Sequence, residues 1–275
     1  NSTSVASPPP TPPPLASAVP PLVSLVARNI GVLAPELVSS AKYAAARLVR
    51  DDISSVHEES YQGAYRVISD AYAALHLPFN AMSGVVSGVA TVGDVLSEVP
   101  FEHQKLVTRD GLGVTERRAT SWMAEEGVGG FAYSGKIMDP VPFTPAVERI
   151  RDALWQETGN RYDCALLNHY EDGECACQWH TDPGHGTHLA YEAAIVSLGE
   201  VRRFVMRKIG EGGGKNGMEG QHVMRVFNGD VVEMFGDCND TFEHCVLKAE
   251  SSFNHGSRVS IVFKKSLSSF SHTPA

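Results

Sequence analysis

Asn168-His169-Tyr170-Glu171-Asp172-Gly173, followed closely by Gln178-Trp179-His180-Thr181-Asp182, is the stretch from which the rest of the chain can be read. Its centre is His180-x-Asp182. Two residues apart on an extended strand, both side chains point to the same face. An imidazole and a carboxylate side by side suit a borderline divalent metal. A second histidine from elsewhere in the fold would complete a facial triad and leave three metal positions open.

Working outward, the segments on either side read as strands: Cys164 to Leu167, Ala193 to Leu198, Arg203 to Arg207, His222 to Phe227, Val231 to Phe235 and Arg258 to Lys264. Gly210 to Gly220 reads as a flexible hairpin connection. Strands in series, punctuated by turns, predict a sandwich or barrel. Thr144 to Thr158 predicts a helix, with Val147, Ile150 and Leu154 on one face and Pro145 in the first turn. Asp94 to Pro100 predicts a shorter one. His244, in Asp240-Thr241-Phe242-Glu243-His244-Cys245, follows the strand at Val231 to Phe235 and is the candidate third ligand. Arg258, Ser260, Val262 and Lys264 alternate onto one face of the last strand. An arginine there suits a dicarboxylate, which its planar fork can hold in bidentate fashion.

The remainder of the chain is extension. Of 275 residues, 1–35 hold no acid and one basic residue, Arg28, and Pro8 to Pro21 is proline-rich. This predicts an extended, disordered arm open to a protein partner, with a transit-peptide remnant as the alternative. The sequence starts at Asn1, so the native N-terminus is expected upstream. Residues 36–80 predict a helical extension, with helices from about Glu36 to Arg50, around Ala44-Ala45-Ala46, and from about Glu58 to His76. The catalytic domain is expected over 81–268, with a tail at 269–275. The formal net charge of -9 argues against a protein that coats nucleic acid non-specifically. Five cysteines, an odd number, argue against a disulfide scaffold and for a reducing intracellular compartment, nuclear, cytoplasmic or organellar. No apolar run is long enough to span a bilayer. A monomer is expected.

Taken in order, these motifs resemble the AlkB family of Fe(II)/2-oxoglutarate dioxygenases. The family pattern is Asn-x-Tyr-x-x-Gly, His-x-Asp, a distant His, and Arg-x-Asn-x-Thr-x-Arg. Asn168, Tyr170 and Gly173 match the first part, and His180, Asp182 and His244 the metal triad. Arg258 matches the leading arginine, while Ser260, Val262 and Lys264 stand where the family has Asn, Thr and Arg. Trp122 and Phe131-Ala132-Tyr133-Ser134-Gly135 look like the substrate lid, and Val196-Ser197-Leu198-Gly199 like the core strand. The likeness covers roughly 92–266. It implies a mainly β fold with flanking helices, a double-stranded β-helix or jelly roll. It also implies that His180, Asp182 and His244 hold Fe(II). Arg258 and Tyr170 would take the distal carboxylate of 2-oxoglutarate, Asn168 and Lys264 would support its other end, and Ser260 would also contact the cofactor. The implied activity is oxidative demethylation of N-alkylated bases in methylated DNA or RNA, as in repair. It would consume O2 and release succinate, CO2 and formaldehyde. Trp122, Phe131 and Tyr133 would offer aromatic contact to the base. Arg203 and Arg207, in a basic stretch with Arg202, Lys208, Lys215 and Arg225, would track phosphates. Pro183-Gly184-His185-Gly186 carries no acid where repair members often do. That, with the acidic net charge, leaves open hydroxylation of a protein or small molecule; a further alternative is a non-enzymatic 2-oxoglutarate-binding scaffold whose proline-rich arm recruits partners.

Overall fold

A computed structural model describes residues 77–82, 84–107, 111–210, 221–249 and 256–267. The proline-rich arm, the two helices expected over 36–76, most of the 210–220 connection and the tail lie outside these. Two antiparallel sheets face each other. The larger has seven strands in the order β1-β11-β8-β13-β6-β3-β2: β1 (Phe79–Met82), β2 (Glu102–Val107), β3 (Gly113–Ala124), β6 (Cys164–Tyr170), β8 (Leu189–Gly199), β11 (Val231–Met234) and β13 (Arg258–Ser266). The smaller has four, in the order β10-β9-β12-β7: β7 (Cys177–His180), β9 (Arg202–Lys208), β10 (Gln221–Val226) and β12 (Phe242–Val246). β4 (Phe131–Tyr133) and β5 (Lys136–Met138) form a separate hairpin. This is the jelly roll that the sequence predicts. Strand β1 straddles the expected domain boundary at residue 80.

The strand period of two divides the large sheet into unlike faces. One carries Met123, Ala165, Leu167, Ala194, Val196, Leu198, Val259, Ile261 and Phe263, all buried. It packs under α2 (Pro145–Thr158), whose Ala146, Val147, Ile150 and Leu154 form a fully buried stripe, and under Val95 of α1 (Val92–Glu98). Pro145 begins α2, where its missing N–H costs nothing. Gly159 ends it in the left-handed region at φ 75°, which a residue without Cβ adopts readily. Thr144 at the N-cap makes no side-chain cap bond. Glu98 of α1 takes that place and accepts from the Ala146 N–H at 2.8 Å. A carboxylate there also meets the positive end of the helix dipole. A third, single-turn helix, α3 (Cys238–Thr241), leads into β12.

The opposite face of the same strands is largely polar. Register places Arg258 beside Tyr170 and Gly199, Ser260 beside Asn168 and Ser197, and Lys264 beside Cys164 and Ala193. This face looks across to the small sheet, whose inward Phe204, Met206, Phe242 and Val246 close the second apolar core.

Candidate active site

The triad assembles across the small sheet and the loop behind it. His180 ends β7 and lies directly opposite His244 on β12. The pairing shifts register between His244↔His180 and Val246↔Cys177, so three steps on β7 match two on β12. Such a bulge re-aims side chains: Cys177 and His180 both face inward, and Trp179 faces out. His244 therefore belongs to a strand of its own and does not lie in a loop after β11. Asp182 Oδ1 is 3.6 Å from both His180 Nε2 and His244 Nε2. The three ligand atoms lie within 4.8 Å of one another. Asn239 fixes the Asp182 backbone at both ends, accepting from its N–H at 2.7 Å and donating to its carbonyl at 2.8 Å. The other carboxylate oxygen, Oδ2, accepts from Lys264 Nζ at 2.5 Å. Burial raises the Asp182 carboxyl, but the Lys264 ammonium and the imidazoles more than offset that and hold it well below the usual range. Burial, then His180, pushes His244 down to about 3, leaving it a neutral donor.

Arg258 sits at the other end of the polar face. It is fully buried, and its Nη2 donates to Ser197 Oγ at 3.0 Å. Its Cζ lies 5.0 Å from the Tyr170 ring centre. Nε and Nη1 have no hydrogen-bond partner among the described residues. Gly199 opposite is in the left-handed region at φ 82°, and a Cβ there would come 2.4 Å from the Ser257 carbonyl oxygen.

A family model described as "2OG-Fe(II) oxygenase superfamily" matches residues 89–264. The chain belongs to that superfamily. Among its relatives, uncharacterized protein R406 of Acanthamoeba polyphaga mimivirus is 32% identical over 176 residues, covering 62% of this chain and 85% of that protein. DNA oxidative demethylase ALKBH2 of Bos taurus is 35% identical over 77 residues, 28% of each chain. Alpha-ketoglutarate-dependent dioxygenase alkB homolog 3 of Rattus norvegicus is 28% identical over 112 residues, 40% of this chain and 37% of that one. The chain thus spans well under half the length of these last two. The protein is an AlkB-like Fe(II)/2-oxoglutarate-dependent dioxygenase, which sets the scaffold alternative aside.

The residues of this oxygenase fit both cofactors. Two imidazoles and a carboxylate on converging strands suit Fe(II). A buried guanidinium with two unpartnered N–H groups is costly unless an anion meets it, and the distal carboxylate of 2-oxoglutarate would do so. Asn168 and Ser260 are neighbours in the same row, with Asn168 Nδ2 donating to Ser260 Oγ at 3.5 Å.

The candidate substrate residues divide. Trp122 and Phe131 are both buried and stack on each other, with centres 4.7 Å apart and planes at 19°. Trp122 Nε1 donates to the Gly129 carbonyl at 3.1 Å. Each therefore covers the other's face. Tyr133 points instead toward the polar face of the large sheet, its hydroxyl donating to Glu116 at 2.9 Å. Arg203 and Arg207 alternate with Phe204 and Met206, so they lie on the outer face of the small sheet and are not brought to the triad. Arg207 is paired with Glu243 at 2.7 Å and lies 3.8 Å over the Trp179 ring.

Three features escape the sequence reading. Buried Glu116 and half-buried Arg118 form an ion pair at 2.6 Å. Cys177 places its Sγ 3.7 Å from His180 Nδ1. The His185 side chain is buried, and its Nε2 lies 3.0 Å from Lys264 Nζ. For Glu116 and Arg118 the available signal was the two-residue spacing of opposite charges ahead of Trp122.

Proposed function

We propose that this oxygenase oxidatively demethylates N-alkylated bases in nucleic acid. What carries the reading is the sequence likeness to relatives named as DNA oxidative demethylases, on a chain whose His180, Asp182 and His244 converge. The aromatic hairpin β4–β5 beside the polar face supports it. Iron and 2-oxoglutarate, when bound, supply oxidation of a substrate C–H bond by O2, with loss of succinate and CO2. His180, Asp182 and His244 would hold the metal. Lys264, bonded to Asp182 Oδ2, keeps that oxygen occupied, so the carboxylate presents Oδ1 toward the two imidazoles. Arg258 and Tyr170 would take the distal carboxylate, with Asn168, Ser260 and Lys264 completing the site. Burial of Arg258 and Lys264 keeps water from competing for their charges, and His244 is buried beside them as a neutral ligand. Tyr133 would contact the base, with Trp122 and Phe131 as its packed support.

The test is formaldehyde release from a panel of methylated DNA and RNA strands, run beside succinate release. Formaldehyde from at least one strand is the expected result. Succinate without formaldehyde from any strand would favour the second reading, hydroxylation of a protein or small molecule. The Glu243 carboxylate, which engages Arg207 on the supposed phosphate surface, gives that reading its support. We also propose an oxygenase domain over 81–268, begun two residues earlier by Phe79 and Asn80, which pair with β11, a helical extension from 36 ahead of it, and a monomer as the working form. Among the described residues no helix is long and apolar enough to cross a membrane.

A further inference from the structure

Among the described residues the β4–β5 hairpin pairs with no other strand, and two strands alone are marginal in water. Its own turn is tight, with Ser134 at φ 48° and Gly135 at φ 78°, as in a type I′ hairpin. Just beyond β5, Val141 exchanges backbone bonds with Trp122 and Ala124 of β3, and the hairpin itself is placed over the large sheet by side chains. One anchor is apolar, Phe131 stacked on Trp122. The other is polar and continues well beyond the hairpin. Tyr133 donates to Glu116 Oε2 at 2.9 Å, and Glu116 Oε1 meets Arg118 Nη2 at 2.6 Å. Arg118 Nε donates to Asn168 Oδ1 at 2.9 Å.

The last contact decides the orientation of an amide. A guanidinium has donors only, so Asn168 must show it the carbonyl oxygen. The NH2 group of Asn168 then faces the other way, toward Ser260. That is the orientation a carboxylate needs, since a carboxylate only accepts. Simple anchoring does not require this route: a buried ion pair is costly to desolvate, and apolar contact would hold the hairpin as well.

We propose that Arg118 and Glu116 are positioning residues that join the two halves of the site. Arg118 presents the Asn168 NH2 to the cosubstrate carboxylate, and Glu116 fastens the Tyr133 hairpin to that arrangement. This rests on the reading of Asn168 as a 2-oxoglutarate ligand and of Tyr133 as a substrate contact. When 2-oxoglutarate binds, Asn168 is ordered, and the order passes through Arg118 and Glu116 to the hairpin. The hairpin is thus set for the primary substrate only once the cosubstrate is in place.

The experiment needs no primary substrate. Hydrogen exchange of the 129–139 amides is followed in the Mn(II)-loaded full chain, with and without saturating 2-oxoglutarate. Wild type, Glu116→Gln and Tyr133→Phe are compared, and 2-oxoglutarate affinity is measured by calorimetry on each. In wild type the hairpin amides should slow by about fivefold or more, the lower end of ordinary site-to-site coupling. In both variants that slowing should vanish while 2-oxoglutarate still binds. Equal slowing in all three proteins, or none in a wild type that binds 2-oxoglutarate, overturns the proposal. A wild type that binds no 2-oxoglutarate overturns the cosubstrate reading itself, and the coupling with it. If Glu116→Gln fails to fold, Tyr133→Phe, which removes one oxygen, decides alone.

Discussion

Arg258 and His169 are adjacent in the β13–β6 ladder, yet their side chains emerge on opposite faces, and each can be tested by itself. Arg258→Ala should raise the 2-oxoglutarate Kd about a hundredfold or more, since losing one partner of a buried charge pair typically costs about 3–5 kcal/mol. Calorimetric titration of the metal-loaded protein measures this; an unchanged Kd would place the distal carboxylate elsewhere, with Lys264 the next candidate. His244→Ala should abolish metal retention in equilibrium dialysis, because it removes one of three ligands. A variant that holds iron as wild type does would strike His244 from the set. His169 faces away from the site, its Nε2 2.7 Å from Ser257 Oγ. Burial lowers its pKa below 6.5. The folded ring therefore stays neutral where the unfolded ring takes up a proton. Its share of stability is complete above pH 6.5 and is lost as pH falls toward the folded value. Urea melts at pH 7.5 and 5.5 should show a smaller loss for His169→Asn than for wild type (both pH values are about one unit from the ordinary histidine pKa). An equal loss in both proteins would assign the acid sensitivity to other groups.

At the scale of elements, helix α2 and the site share strands but not faces. Ile150→Ala should cost about 2–5 kcal/mol of stability, the range for such core truncations. The folded protein should keep its 2-oxoglutarate Kd, because Ile150 packs only on the apolar side. A strongly weakened Kd in a folded Ile150→Ala protein would mean that the faces are mechanically linked. This division also explains what the sequence could show. β6, β8, β9, β10, β11 and β13 were legible because their apolar faces made continuous or alternating runs. β3, the longest described strand, was not: it carries Glu116, buried, and Arg118, half-buried, as a pair, and such charges look like loop in a sequence. β7 was hidden by its bulge, which breaks the two-residue period between Cys177 and His180. The order of His180, Asp182 and His244 was legible, but the bond from Lys264 to Asp182 was not, since 82 residues separate them. Trp122 and Phe131 were recognisable as aromatics near the lid, but a pattern of residue types does not say whether a ring stacks on a base or on its neighbour.

At the scale of the whole molecule, the net charge of -9 opposes any polyanion at long range, so a nucleic-acid strand must be held by local features. Arg207 is already engaged by Glu243. Its replacement by alanine should therefore change the salt dependence of oligonucleotide binding by clearly less than about one unit of slope, the value for a lost phosphate contact. Binding isotherms at several salt concentrations would show it, and a full unit lost would mean that Arg207 leaves Glu243 for the strand. The two-faced construction of β6, β8 and β13 has a consequence for how such a chain can vary over time. One residue inserted in the middle of β13 would exchange the sides for everything beyond it. Phe263 would then face the iron ligands, and the Lys264 ammonium would lie under the helix. No compensating substitution nearby could restore both sides at once. Changes in length are therefore confined to the connections, and within the ladder the chain can explore new chemistry only by exchanging one residue for another.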